Sequence, residues 1–301
     1  MNRRDLLRQT AALSLAVSNP LSGIAANISD QSSTTPNPLK PPAHGSIPVA
    51  FLISHGAVVI DFCGPWEVFH DVSVPGRSGE AFKLYTVAES LDPVEASGGM
   101  KIIPHYTLES APPPKVVVIP AQEGDGQVLV EWIRKSARTA DVVMSVCTGA
   151  FLLAKTGLLE GKSATTHHIA YRGFTRMYPD VQLKRGARFV EEGNLATAAG
   201  LSAGIDLALR VVERYFGDDV AKQTTYDMEY QGRGWTNPNS NSLYAKFGTQ
   251  PDKGLYCSVC GMDVDPKTAP SSAYRGKTYY FCMSEHKEKF DKDPQQFVKT
   301  H

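Results

Sequence analysis

Apolar positions along the chain fall into two regimes. Short, mostly apolar runs occur at Ile47–Ile53, Phe82–Val87, Val116–Ile119 and Val142–Val146. Runs of that length and density predict strands buried on both faces. Between or after them, Val128–Ala137, Ala150–Thr156 and Ala203–Phe216 repeat apolar residues at helical spacing. Buried strands alternating with amphipathic helices predict a mainly parallel sheet covered on both sides. The fold class is therefore α/β, a flavodoxin-like sandwich over residues 47–232.

Polar stretches punctuate this pattern. Residues 27–46 are rich in Ser, Thr, Asn and Pro, with Pro36, Pro38, Pro41 and Pro42, and read as a linker. Residues 233–253 turn polar again around Gly234, Asn237, Pro238, Asn239 and Asn241 and read as a second linker. The tail, 254–301, is too small for a core of its own, which predicts a small β/α module stapled by metal.

The N-terminus changes the expected location. Arg3 and Arg4 precede an apolar stretch, Ala11–Val17, and a small-residue zone, Ser22–Ala26. That order predicts a twin-arginine (Tat) signal over 1–26, cleavage near Ala25 or Ala26, and a periplasmic product. The apolar stretch is too short to span a bilayer, so no membrane association is expected after cleavage.

Composition excludes one class of partner. The 301 residues carry zero formal net charge with a pI near 7.1, and Lys and Arg are dispersed, so nucleic acid is not expected to bind. The five cysteines form an early pair, Cys63 and Cys147, and a late trio, Cys257, Cys260 and Cys282. An odd number in an exported chain argues against a simple disulfide framework.

Cys147 is the sharpest candidate in the first domain. The apolar run Val142–Val146 leads straight into it, and Thr148-Gly149-Ala150 opens a helix. Such a strand–turn–helix junction raises a nucleophile at the carboxyl edge of the sheet, where α/β folds gather their chemistry. A helix N-terminus there is expected to lower the thiol pKa. The alternative is a buried, inert cysteine.

In the tail, Cys257-x2-Cys260 and Cys282-x3-His286 offer three thiolates and one imidazole across a β-rich stretch. That set can close a tetrahedral shell around zinc or copper and suits calcium or magnesium poorly. A Cys257–Cys260 disulfide or a metal-free knuckle is the alternative.

Ser145–Ala150, Leu158–His167, Asp61–Phe69, Asn194–Gly200 and Ala203–Asp206 together resemble the ThiJ/PfpI superfamily of class I glutamine amidotransferase-like folds. The likeness is to the branch holding isonitrile hydratase and the sensory halves of AraC-type regulators. It implies Cys147 as nucleophile, Asp61 at the end of the first strand as general acid/base, and Thr148 assisting through its hydroxyl and backbone N–H. It also implies a small-molecule substrate, no cofactor in the α/β domain and, by analogy, a homodimer. Relatives carry Gly-Gly after the Ile-Pro of the preceding strand. Here Ala121 and Gln122 stand there as candidates to present an oxyanion N–H at the rim, with His167 as a further rim candidate. Asp61 could instead cap a helix, since Gly64-Pro65 suggests one starting just there, and Cys63 could approach Cys147 closely enough for a disulfide. Residues 254–299 resemble the YHS domain, related to the metal-handling TRASH modules, through Cys257–Met262, Tyr274–Cys282, Phe290 and Asp293-Pro294.

The leading expectation is an exported cysteine-dependent hydratase or hydrolase of the isonitrile hydratase kind with an appended metal module. The competing one is a non-catalytic periplasmic metal-binding or metal-sensing protein that uses the α/β domain as a binding fold. A transcription regulator is disfavoured, because no helix-turn-helix pair follows the first domain.

Overall fold

The computed structural model describes residues 37–247 and 255–298. The expected signal segment 1–26, and residues 27–36 of the expected linker, lie outside the described residues.

The four apolar runs become strands β1 (Ile47–Leu52), β2 (Phe82–Ala88), β4 (Val116–Ile119) and β5 (Val142–Ser145). The sheet is completed by a short strand that no apolar run marked, β3 (Tyr106–Thr107), and by the hairpin β6 (Phe189–Glu192) and β7 (Leu195–Ala198). They form one seven-stranded sheet in the order β6-β7-β5-β4-β1-β2-β3. Every pairing is parallel except that of the edge strand β6 with β7.

Alternate residues of each strand enter opposite layers. On one face Val49, Phe51, Val118 and Met144 pack with helices α1 (Val59–Asp71) and α5 (Ala203–Phe216) through Phe62, Phe69, Leu207 and Val211. On the other, Ala50, Leu52, Ile119 and Val143 pack with α2 (Gln127–Ala137), α3 (Gly149–Lys155) and α4 (Tyr171–Met177) through Leu129, Ile133, Leu153 and Phe174. Helix α6 (Asp218–Asp227) follows α5 directly. Burial on both faces is why the strands read as continuous apolar runs rather than alternations.

The topology fixes where a site can form. From β1 the chain moves outward to β2 and β3, then returns to the other side of β1 for β4, β5 and β7. The connections therefore part between β1 and β4, and a crevice at the carboxyl ends of those strands is the natural binding position.

Three expectations need correction. Asp61 is not at the end of the first strand: β1 stops at Leu52, and Asp61 sits in the first turn of α1. Pro65, whose position suggested a helix start, lies inside α1, where it lacks the N–H that would bond the Asp61 carbonyl. The expected linkers are also partly packed structure. Leu39 N–H donates to the Arg214 carbonyl at 2.7 Å, and Trp235 is buried against the α5 layer.

The C-terminal module contains a hairpin, β8 (Ser271–Tyr274) and β9 (Lys277–Tyr280), and helix α7 (Ser284–Lys292) around a small cluster of Cys257, Val259, Phe281 and Phe290. The hairpin turns through Arg275 and Gly276, both at positive φ, which matches the right-handed twist of two paired strands. Among the described residues, no helix is long and apolar enough to cross a membrane.

Gly149 shows how tightly the elbow is packed: a Cβ there would lie 2.7 Å from the Pro120 carbonyl oxygen, backbone that cannot step aside. Gly149→Ala is expected to destabilise the domain by about 1–3 kcal/mol, measured as a lower denaturation midpoint. An unchanged midpoint would show that the β4–β5 edge is looser than this packing requires.

Candidate active site and candidate metal centre

Cys147 follows β5 with φ +57°, a left-handed conformation that a non-glycine residue adopts only when its surroundings enforce it. Two contacts enforce it here. The Cys147 N–H donates to the Ala199 carbonyl at 2.8 Å, and the Thr166 hydroxyl donates to the Cys147 carbonyl at 2.9 Å. The residue is 9% exposed.

Asp61 reaches the same edge from α1. Its Oδ2 accepts the Ala121 N–H at 3.1 Å, while the Ala121 carbonyl accepts the Val58 N–H at 2.8 Å. One residue after β4, Ala121, is thus held through both its N–H and its carbonyl by the start of α1. Asp61 is fully buried, and its Oδ1 is left without an N–H or O–H donor.

The two side chains act on each other. Burial pushes the Asp61 carboxyl up to about 7, against the Ala121 N–H and the Cys147 thiol, which favour the ionised form. Burial first, and the Asp61 charge second, push the Cys147 thiol up to about 12. The Thr148 and Leu201 N–H groups and the Thr148 hydroxyl offset only part of that. The expected lowering of the thiol pKa by the helix start is therefore overturned. Desolvation and a neighbouring carboxylate outweigh the end of α3, a helix of only seven residues. The resting pair is a thiol beside a carboxyl group that titrates near neutrality.

The rim candidates separate. The Ala121 N–H is committed to Asp61 and is not free for an oxyanion. Gln122 holds both its amide atoms buried without hydrogen-bond partners. His167 is half-buried against Gly200, stacks on His168 at 4.3 Å and accepts the Ile169 N–H at Nδ1, 3.3 Å away. Burial, then His168, hold its imidazole below the usual range, which leaves it neutral near pH 7. Cys63 and Cys147 are both free thiols.

In the C-terminal module the four expected donors converge. One ligand atom from each of Cys257, Cys260, Cys282 and His286 lies within 4.8 Å of the others. Cys260 Sγ and Cys282 Sγ are 3.6 Å apart, and His286 Nδ1 lies 3.4 Å from Cys257 Sγ and 3.2 Å from Cys282 Sγ. Tetrahedral zinc with Zn–S bonds of about 2.3 Å needs S···S edges of about 3.8 Å, so the donor set fits such an ion. Crowded as they are, Cys260 and Cys282 hold the Cys257 thiolate low, while the Cys257 thiolate drives Cys260 high. A cation would relieve that competition by taking all four donors. His286 also opens onto a cleft lined by His55, Glu123, Glu285, Glu288, Lys289 and Lys292.

Comparison with known proteins follows the same division. The DJ-1/PfpI family model matches residues 48–214, the span that carries Asp61, Ala121 and Cys147. The chain belongs to the DJ-1/PfpI family. The YHS domain model matches residues 258–301 of this DJ-1/PfpI protein. Over 190 residues it is 33% identical to the isonitrile hydratase of Pseudomonas putida, covering 62% of this chain and 79% of that enzyme. It is 29% identical to the HTH-type transcriptional regulator CdhR of Pseudomonas aeruginosa over 58% of this chain, and it spans about half (52%) of that regulator. Among solved structures, a ThiJ/PfpI family protein from Pseudomonas syringae superposes with a TM-score of 0.54 at 26% identity, over 69% of this chain and 83% of that one. Drosophila melanogaster DJ-1beta, at 18% identity, shares the fold with a TM-score of 0.52 over 62% of this chain and 98% of its own.

Two groups at the candidate site escaped the sequence reading: the Thr166 hydroxyl, which braces the Cys147 carbonyl, and the Leu201 N–H, which faces its sulfur. Leu201 has φ +46°. Nothing in a leucine codes for a left-handed turn, and only its place after Gly200 hinted at one.

The buried carboxyl has a stability signature. Its folded pKa is raised, so its contribution is fully present below the unfolded value near 4 and is lost as pH rises through about 7. The cost of ionising it is on the order of 4 kcal/mol. Asp61→Asn is therefore expected to raise the denaturation midpoint relative to the parent at pH 8 and not at pH 4. An equal effect at both pH values would show that Asp61 ionises as easily folded as unfolded.

Proposed function

We propose that the α/β domain is a cysteine-dependent hydratase acting on isonitriles, in a protein exported by the Tat route and carrying a zinc- or copper-binding YHS module. The observation that carries the reading is the pairing of a protonated, strained Cys147 with a buried Asp61 near neutrality. The 33% identity to an isonitrile hydratase supports it.

The chemistry follows from the pair. As Sγ attacks the terminal isonitrile carbon, the Asp61 carboxylate takes the thiol proton and passes it to that carbon, giving a thioimidate, Sγ–CH=N–R. Asp61, again ionised, takes a proton from water. Hydroxide adds to the same carbon and Asp61 passes the water proton to the nitrogen, giving Sγ–CH(OH)–NH–R. The C–S bond then breaks as the hydroxyl proton moves through Asp61 to sulfur, which returns the thiol and the Asp61 carboxylate and releases the N-substituted formamide, R–NH–CHO. Neither addition builds a carbonyl oxyanion. The commitment of the Ala121 N–H to Asp61 is thus compatible with isonitrile hydration, whereas attack on an amide would need that donor.

A second reading, a non-catalytic metal-binding protein, is favoured by the converging Cys257, Cys260, Cys282 and His286. Incubation with an alkyl isonitrile separates the two. Formamide is expected from the parent, none from Cys147→Ala, and at least about 100-fold less from Asp61→Asn. Because Asp61 must be ionised to accept the thiol proton, kcat/KM is expected to rise with pH through about 7, and Asp61→Asn to lose that inflection. A parent that makes no formamide while binding zinc or cuprous copper would leave the metal reading in its place.

A further inference from the structure

The C-terminal metal-type cluster is braced from outside its own module. The turn that presents Cys257 and Cys260 lies against α4 of the α/β domain so closely that a Cβ on Gly173 would sit 2.6 Å from the Cys260 carbonyl oxygen and 3.1 Å from Gly261 C. Arg176, one helical turn further on, grips the same turn from several sides. It donates to the Gly261 carbonyl, and its Nη2 donates to Asp263 Oδ1 at 2.8 Å. Its guanidinium also lies 4.7 Å from the centre of the Tyr256 ring. Arg172 adds a second ion pair to Asp263.

The other half of the donor set is anchored separately. Three residues beyond His286 on α7, Lys289 Nζ bonds Asp125 Oδ1 at 2.6 Å, and Asp125 also holds Lys155 at 3.1 Å. Asp125 belongs to the loop after β4 that carries Ala121 and Gln122. The first ligand pair is thus tied to α4 and the second to the β4 loop.

We propose that the metal centre is positioned across both domains, with Gly173 and Arg176 acting as positioning residues for the ion that Cys257, Cys260, Cys282 and His286 hold. The physical reason is pre-organisation. A module whose buried core is four side chains, one of them the ligand Cys257, has little packing of its own to fix two ligand pairs before the ion binds, and bracing from the α/β domain supplies it. Groups outside the ligand shell that fix ligand geometry are commonly worth about 10–100-fold in metal affinity. Glycine at 173 lets two backbones touch, and Arg176 ties the residues before and after the Cys257–Cys260 turn to one rigid helix.

The inference rests on the metal reading of the four donors, and one experiment keeps the two apart. Reduced full-length protein, stripped of metal, is titrated with zinc against a chromophoric chelator, and with cobalt(II) to read the thiolate ligand field. Gly173→Ala and Arg176→Ala are each expected to weaken zinc about 10–100-fold and to broaden the cobalt spectrum. Arg176→Lys should recover part of the loss, and Arg138→Ala, at an exposed arginine outside the interface, should match the parent. Parent and Arg176→Lys together keep the result readable if Gly173→Ala fails to fold. If the parent binds zinc and both Ala variants bind it within threefold as tightly, the positioning role is overturned and the metal reading stands. If the parent binds no metal, or Cys282→Ser binds as tightly as the parent, the metal reading itself fails and the positioning role with it.

Discussion

A thiol and a carboxyl group buried side by side do not readily both carry charge, and the carboxyl edge of this sheet is organised around that constraint. With little water to screen them, ionising Asp61 makes a Cys147 thiolate more costly, and the Cys147 charge would do the same to Asp61. The fold settles the conflict by leaving the sulfur protonated and the carboxyl near neutrality. Ala121, bonded through both its N–H and its carbonyl to the start of α1, holds Asp61 in place, and the contacts of Ala199 and Thr166 with the Cys147 backbone hold the elbow. The result is a carboxyl group that titrates near neutrality beside a thiol that stays protonated. A buried thiol held protonated is also slow to oxidise, because oxidation follows thiolate character and exposure.

The same edge carries the second chemistry. The loop after β4 contributes Ala121 to the Asp61 clamp and Asp125 to the ion pair with Lys289, so one short segment touches both the candidate active site and the C-terminal module. Among the described residues, the module meets the α/β domain through arginine–carboxylate pairs and a backbone-to-backbone contact at Gly173. Charged, partly exposed contacts of this kind are individually weak. Their effect on the metal centre comes through geometry, by holding the Cys257–Cys260 turn against one rigid helix.

Much of this was legible in the residues. Strands buried on both faces betray themselves as continuous apolar runs, which is why β1, β2, β4 and β5 could be read directly. The short span from strand to Cys147 to Thr-Gly marked the elbow, and Cys-x2-Cys with Cys-x3-His marked the cluster that the structure brings together. Other features were opaque for physical reasons. Helix α1 begins before the Gly64-Pro65 pair that seemed to start it, because its first turn is fixed by tertiary bonds from Val58 to Ala121 and from Val59 to the Ser97 hydroxyl. The direction of the Cys147 shift depends on burial and on a carboxyl group 86 positions earlier in the chain (147 − 61), neither of which a local motif encodes. Trp235 lies in a polar stretch, yet its backbone N–H bonds the buried Asp206 at 2.9 Å, a partner that only the folded chain supplies.

The central claim is that Cys147, with Asp61 beside it, forms a covalent bond to the substrate carbon. The most direct test is to mix the reduced protein with an alkyl isonitrile, trap with borohydride and map the adduct by peptide mass spectrometry. The account predicts a mass gain equal to the isonitrile plus two hydrogens on the peptide containing Cys147. Cys63 and the three cysteines of the C-terminal module should stay unmodified. An unmodified Cys147 in a sample that turns isonitrile into formamide, or an adduct confined to another cysteine, would contradict it.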